Sequence, residues 1–206
     1  MSDFIVISGV ATIPYLSWLN DLYLKEERTH ESLGFLPSQT YVREAPLGRI
    51  WIGLLRGQPC GFVYAGSLVA GHDARIFQAC IEFDLRKSLY GTRLIRSLME
   101  VAQAAGCRGM SLRCGFDLLA NEFWNHMGFY VYAYKDGGLR RGRILNLWRS
   151  DFTASLIPFE RLVPLRGERD ARLWNKYKTL LNLTDTSRPT HGWKSLLCML
   201  EKNTDE

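Results

Sequence analysis

Residues 79–105 read ACIEFDLRKSLYGTRLIRSLMEVAQAA. The apolar residues that open this stretch belong to a run that predicts a central strand over 75–83. Apolar residues then recur at helical spacing and predict a helix over 91–105. The loop between the two carries Arg86 and Lys87. Backbone N–H groups that follow a strand, together with the dipole of a helix N-terminus, form a site suited to an anion such as a pyrophosphate.

Further secondary-structure signals lie on both sides of this stretch. Pro14 suits the first turn of the first helix, and Asp117 can cap the third. The order helix, hairpin, strand, helix, strand, helix, hairpin indicates a mixed α/β domain with parallel strands at its centre. The remaining predicted elements are a helix over 13–28, strands over 49–55, 60–66 and 110–114, a helix over 118–127, and strands over 129–134 and 143–148.

The composition is that of a globular protein. Of the 206 residues, 47% are hydrophobic and 23% are charged, which excludes global disorder. No apolar run approaches the roughly 20 residues of a membrane span, and the N-terminus lacks the basic start of a secretory signal. We therefore expect a cytoplasmic protein with no membrane partner. The five cysteines are scattered without a CxxC pair, so neither a disulfide framework nor a metal site is expected.

The positive charge of the chain is concentrated late in the sequence. The net charge is +5, and residues 135–178 contain eleven basic residues against five acidic ones. Such a stretch is typical of a nucleic-acid or phosphate-binding surface, and equally of a solvated basic face. Because the pattern weakens after Ser150, we predict a domain over 1–150 and a basic, partly helical extension over 151–206. This extension can be a dimerisation arm, a lid or a nucleic-acid clamp.

Two blocks of sequence together resemble the GNAT (GCN5-related N-acetyltransferase) superfamily. In the first, Arg86 and Gly91 fill the ends of its pyrophosphate motif, Arg/Gln-x-x-Gly-x-Gly/Ala, and Leu89 stands where the first glycine belongs. The second block runs over 117–129 and contains Asn121 and a final Gly-Phe pair. The resemblance covers roughly residues 5–150. It implies a mixed, mostly antiparallel sheet with a parallel central pair, flanked by helices.

The resemblance implies an acyl-CoA-dependent N-acyltransferase whose acceptor is an amine and whose donor is acetyl-CoA or another acyl-CoA. Leu89 departs from the motif, so either this position needs only a negative φ or the loop has lost its usual ligand. A closer similarity to phage and prophage GNAT-like proteins, including the Mom type that modifies DNA, is an alternative. A non-catalytic binding protein is a third. The residues expected to hold the cofactor are Phe83, Arg86, Lys87, Ser88, Leu89, Tyr90, Gly91 and Thr92.

Acyl transfer to an amine needs a base, donors for the oxyanion and a proton for the thiolate. Glu82, near the end of the central strand, is the candidate base, and an ion pair with an arginine such as Arg113 is its alternative. A backbone N–H of residues 81–83 is the expected oxyanion donor. The resemblance implies that Asn121 contacts the cofactor or a neighbouring carbonyl, unless it is a helix-surface amide. The resemblance implies a tyrosine that protonates the leaving thiolate at the position where this chain has Trp124. Either water or one of Tyr130, Tyr132 and Tyr134 takes its place, with Tyr132 as the selected candidate, or the chemistry differs.

The acceptor is expected to enter between the loop over 32–43 and the last hairpin. Several polar residues of these segments are candidate substrate contacts. The arginines that flank the hairpin tip suit a phosphate backbone, or else are solvated. Cys80 and Cys114 lack a nearby base in sequence, so nucleophilic catalysis is not expected of them. The candidate substrate and nucleic-acid residues are Ser32, Tyr41, Arg43, Arg113, Arg140, Arg141 and Arg143.

Overall fold

A computed structural model describes residues 4–30, 32–137 and 143–152 of the chain. The chain divides into two compact units between Met110 and Ser111. The first unit contains β1 (Phe4–Ser8), a 3₁₀ helix (Gly9–Tyr15), α1 (Leu16–His30), α2 (Gln39–Glu44), β2 (Ile50–Leu55), β3 (Gln58–Ala65), β4 (Asp73–Ile81), a 3₁₀ turn (Phe83–Leu85) and α3 (Tyr90–Ala104). The second contains most of β5 (Gly109–Gly115), then α4 (Ala120–His126), β6 (Tyr130–Asp136) and β7 (Ile144–Asp151).

The strands form one seven-stranded mixed sheet in the order β1-β2-β3-β4-β5-β7-β6. The first four strands are joined by successive antiparallel pairs, and β6 pairs antiparallel with β7. The neighbours β4 and β5 are parallel and are connected through α3, which is the crossover that parallel strands require. The predicted α/β fold with a parallel central pair is therefore confirmed.

The core of the first unit lies between α1, α2 and the inner face of the strands. Leu19, Leu22 and Tyr23 recur at helical spacing on α1 and are all buried, as the apolar pattern predicts. They pack with Tyr41 and with apolar residues of β2 and β3. Burial of each large apolar side chain stabilises the fold by about 1.5–3 kcal/mol, so this face anchors α1 firmly on the sheet.

A close approach of two strands fixes the end of β4. A Cβ atom added to Gly61 would lie 2.2 Å from Ile81 Cδ1 and 2.9 Å from the carbonyl oxygen of Cys80. Only glycine lets β3 come this near to the residues that precede Glu82. The backbone N–H of Glu82 then donates to the Cys60 carbonyl at 2.9 Å. The start of the functional loop is thus held by main-chain packing.

Several local predictions need correction. Pro14 lies inside the 3₁₀ helix and not in the first turn of α1, because α1 begins at Leu16. Short β1 and α2 were not predicted. Asp117 does not cap α4, which has Leu119 at its N-cap position without a side-chain cap. The basic, partly helical extension predicted over 151–206 lies, from residue 153 onward, outside the described part of the chain.

Candidate active site

The loop before α3 has the backbone of an anion-binding nest. Arg86 is extended with φ −68°, whereas Lys87 and Leu89 have φ of +64° and +63°. Ser88 between them has no positive φ, and α3 begins at Tyr90. A φ that alternates in sign over successive residues turns neighbouring N–H groups toward one concavity. The expectation that Leu89 needs only a negative φ is wrong, since the leucine adopts the left-handed conformation typical of glycine.

The N–H groups at this turn differ in what they bond. Those of Leu85 and Arg86 donate to the carbonyls of Glu82 and Phe83, at 3.0 and 3.2 Å. The N–H groups of the first turn of α3 have no acceptor within the helix, as at every helix start. The concavity is therefore lined by the backbone N–H groups that follow Arg86, and the positive end of the α3 dipole adds to its positive potential. This backbone fits a pyrophosphate.

The side chain of Arg86 is engaged within the protein. Its guanidinium forms an ion pair with the buried carboxylate of Glu26 on α1, and its Nε donates to the Ile81 carbonyl at 3.0 Å. It also lies over the Phe83 ring, 5.2 Å from the centroid. Arg86 thus ties the loop to α1 and to the end of β4. Lys87, which is exposed, carries a second positive charge of the loop.

Glu82 is held by a residue that the sequence did not indicate. The indole Nε1 of Trp18 on α1 donates to Glu82 Oε1 at 2.8 Å, across 64 positions of sequence. The partner of this carboxylate is therefore an indole and not an arginine. Because Glu82 N–H bonds to Cys60, Ile81 opposite Gly61 occupies a non-hydrogen-bonded position, and its N–H points away from β3. Since the N–H of Glu82 is already bonded to Cys60, the candidates for the oxyanion donor among residues 81–83 are the N–H groups of Ile81 and Phe83.

Side chains of α1 and β4 fix the loop that follows α1. Glu27 Oε1 accepts the N–H groups of Leu33 and Gly34, at 2.7 and 3.0 Å. Buried Gln78 donates to the Leu33 carbonyl at 3.0 Å. The Tyr23 hydroxyl also bonds this loop, as donor to Gly34 and acceptor from Leu36. The conformation of this loop is thus specified by α1 and β4.

The three candidate acceptor contacts around α2 lie in different environments. Ser32 is half-buried and donates to Glu26 at 3.4 Å. Tyr41 is only 1% exposed, and its hydroxyl donates to Gln78 Oε1 at 2.6 Å. Burial raises the pKa of Tyr41 far above its ordinary value, so its hydroxyl stays protonated. Arg43 is exposed and pairs with Glu44 at 2.7 Å. Contact of these residues with an acceptor stays a prediction.

Asn121, in the second unit, is the centre of a buried hydrogen-bond network. It is 0% exposed, so it is not a helix-surface amide. Its Nδ2 donates to the carbonyls of Gly115, Phe116 and Leu118, at 2.7–3.1 Å. Its Oδ1 accepts from Asn146 Nδ2 and Trp148 Nε1, at 3.0 and 2.9 Å. Of the two contacts that the family resemblance implied, the structure shows the one to neighbouring carbonyls.

The aromatic residues of the second unit separate into packing and polar groups. Trp124 and Phe129 are buried and pack edge to face. Tyr130 donates to Asp151 at 2.6 Å, and burial raises the pKa of Tyr134. Tyr132 is half-buried at the point where the register between β6 and β7 shifts. A bulge of this kind re-aims a side chain, so Tyr132 stays the candidate proton donor.

The remaining candidates lie in different environments, and two of them fall outside the described residues. Arg143 pairs with Asp117 at 3.1 Å, so it is not a solvated residue of the hairpin tip. Arg113 is exposed on β5. Burial raises the pKa of both Cys80 and Cys114 to about 12, which keeps the thiols neutral and agrees with the absence of a nucleophilic role. Arg140 and Arg141 lie outside the described part of the chain.

Residues 4–30, 32–137 and 143–152 contain no group of three or more His, Cys, Asp or Glu side chains placed to hold a metal ion. No helix of the same ranges has the length and apolar character needed to cross a membrane.

Residues 15–129 match the acetyltransferase (GNAT) family. This match spans more than half of the chain and includes α1, the strand β4, the nest and α3. The chain therefore belongs to the acetyltransferase (GNAT) family. No curated protein sequence matches it significantly.

Solved structures of acetyltransferases share the fold at low sequence identity. yncA from Salmonella typhimurium, solved with its cofactor acetyl-CoA, has a TM-score of 0.62 and 13% identity, and the match covers 76% of this chain and 98% of yncA. The ribosomal-protein-S18-alanine N-acetyltransferase of Escherichia coli has a TM-score of 0.58 and 12% identity, and the match covers 76% of this chain and 99% of that protein. NAA60 of Arabidopsis thaliana, solved with a bisubstrate analogue, has a TM-score of 0.59 and 15% identity, and the match covers 72% of this chain and 97% of NAA60.

Proposed function

We propose that this chain is an acyl-CoA-dependent N-acyltransferase that transfers an acyl group, with acetyl as the first candidate, to an amine. The observation that carries the proposal is the nest over 86–90, which keeps two left-handed residues before α3 although neither is glycine. A loop that had lost its ligand would have no physical reason to keep this strained conformation. Acetyl-CoA in the structure of yncA supports the same donor for this chain.

In this proposal the donor is held mainly by backbone. The N–H groups of Ser88, Leu89 and Tyr90 bind its pyrophosphate, and Lys87 adds charge. Arg86 contributes by fixing the loop through Glu26 and Ile81. When bound, the donor supplies an acyl group activated as a thioester.

Glu82 is the proposed general base. Its carboxylate accepts a proton from the acceptor amine as the nitrogen forms its bond to the acyl carbon. The N–H of Ile81 or Phe83 stabilises the charge that develops on the carbonyl oxygen. Tyr132 is the proposed proton donor for the departing sulfur. Ser32 and Arg43, near α2, are the proposed acceptor contacts that retain exposed surface.

The described residues do not favour the nucleic-acid alternative. That reading depends on the basic stretch 135–178, of which residues 135–137 and 143–152 are described. Both arginines in these ranges form ion pairs: Arg143 with Asp117, and Arg149 with Asp151. A Mom-type activity and a purely binding role therefore stay predictions without a structural observation behind them.

The first test is acyl transfer by a pair of charge-matched variants. Ser88→Asp places a carboxylate in the exposed centre of the nest, and Gln103→Glu adds the same charge to the exposed far end of α3. We expect Ser88→Asp to lower kcat/KM for acetyl-CoA at least about tenfold by repulsion of phosphate, and Gln103→Glu to leave it within about twofold. Release of free CoA with a panel of primary amines measures both. Equal rates for the two variants would contradict the proposal.

A further inference from the structure

We infer that Trp18 is a positioning residue for acyl transfer, which holds the carboxylate of Glu82 through its indole N–H and leaves the second carboxylate oxygen for the acceptor amine. The inference rests on the proposed function, because it assigns Glu82 as the base. Among the described residues, Oε1 of Glu82 accepts from Trp18 at 2.8 Å, and Oε2 accepts no hydrogen bond.

The contact joins two rigid parts of the first unit. Trp18 is half-buried and packs against the core between α1 and the strands, next to fully buried Leu19. The main chain at Glu82 is fixed by its bond to Cys60, and Gly61 lets β3 approach this point closely. Glu82 therefore has its backbone anchored on β3 and its side chain anchored on α1. A base held at both ends presents its free oxygen in one direction, which reduces the ordering needed in the transition state.

A neutral donor is suited to this purpose. An indole N–H stabilises the ionised carboxylate, but it has no charge that would neutralise the base as an arginine would. The cation closest in sequence, Arg86, is already paired with Glu26. This arrangement orients Glu82 without removing its ability to accept a proton.

Two buried thiols lie near Glu82. They belong to Cys60 on β3 and Cys80 on β4, and burial raises their pKa values to about 11 and about 12. Both thiols are therefore neutral at neutral pH. The charged residues of the neighbouring elements are Asp21, Lys25, Glu26, Glu27 and Arg28 of α1, Asp73 and Arg75 of β4, Asp84 of the 3₁₀ turn, and Arg86 and Lys87 of the loop.

The contact itself is tested without any assay of activity. The chain has six tryptophans, so the Trp18 indole resonance of ¹⁵N-labelled protein is assigned by its loss in Trp18→Phe. We expect this resonance to move in Glu82→Gln, because the oxygen that accepts the indole N–H loses its negative charge. An unchanged Trp18 resonance in Glu82→Gln would overturn the inference.

The role of the contact is tested by the separate effects on kcat and KM. Loss of the indole donor in Trp18→Phe leaves the Glu82 carboxylate without its anchor on α1, so kcat should fall about tenfold while KM for acetyl-CoA stays within about twofold. In the Glu82→Gln background, Trp18→Phe should have no further effect. Trp51→Phe, the same change in β2, should change kcat by no more than about twofold.

The outcomes separate this inference from the proposed function. If Trp18→Phe folds and keeps the kcat of the wild type, Trp18 does not position the base and the inference is wrong. If the wild type neither binds acetyl-CoA nor releases CoA with any amine, the proposed function fails and the catalytic role of Trp18 fails with it. If the wild type binds acetyl-CoA and turns over, and the kinetics of Trp18→Phe are the same, only the inference is wrong.

Discussion

Leu89 is the residue at which the sequence departs most clearly from the family motif. Its φ of +63° is the conformation for which the motif uses glycine. A left-handed conformation costs a non-glycine residue roughly 1–2 kcal/mol. The residue is 70% exposed, so its side chain does not pack in the core. The leucine therefore costs stability but leaves the N–H groups of the nest in place.

We predict that Leu89→Gly stabilises the protein by about 0.5–1 kcal/mol. The free energy gained by relief of the left-handed strain exceeds the free energy lost because glycine gives more conformational entropy to the unfolded chain. Urea denaturation measures the change. The matched control is Leu119→Gly, because Leu119 is 69% exposed at the N-cap of α4 but has φ −56°. That variant should be neutral or slightly destabilised, and a loss of stability in Leu89→Gly would contradict the account.

Each of the two units has one helix that carries a group of polar contacts. Helix α1 provides Trp18 to Glu82, Glu26 to Arg86 and Glu27 to the loop that follows α1. Helix α4 begins at the network around Asn121, which joins the preceding loop to β7. Both helices show their apolar face in the sequence. Their polar contacts could not be predicted, because each partner lies far away in sequence or is a backbone carbonyl.

We predict that Asn121→Ala destabilises the protein by about 2–4 kcal/mol. The change leaves three carbonyls and two N–H donors of a buried network without their partner. Thermal and urea unfolding of the variant measure this loss. Asn125→Ala, the same substitution one turn further along α4, is the control and should change stability by no more than about 0.5 kcal/mol. Equal effects of the two substitutions would show that the network is not structurally important.

At the scale of the molecule, the order of the main elements was predictable because their apolar periods are regular. The strands and helices from β2 to β7 lie within a few residues of the predicted ranges. Short β1 and α2 were missed, since five and six residues are too few to show a period. The site was predictable only in part. The loop was located from Arg86 and Gly91, but the φ of Leu89 and the Trp18 contact depend on the folded backbone.

The central claim is that the loop before α3 binds the pyrophosphate of an acyl-CoA. The most direct test is calorimetric titration of the ligand-stripped full chain with acetyl-CoA, CoA and pantetheine, which lacks the pyrophosphate. The account predicts a Kd on the order of micromolar for acetyl-CoA and CoA, and at least about 100-fold weaker binding of pantetheine, a difference of about 2.7 kcal/mol. Equal affinity for all three ligands, or no binding of acetyl-CoA, would contradict it.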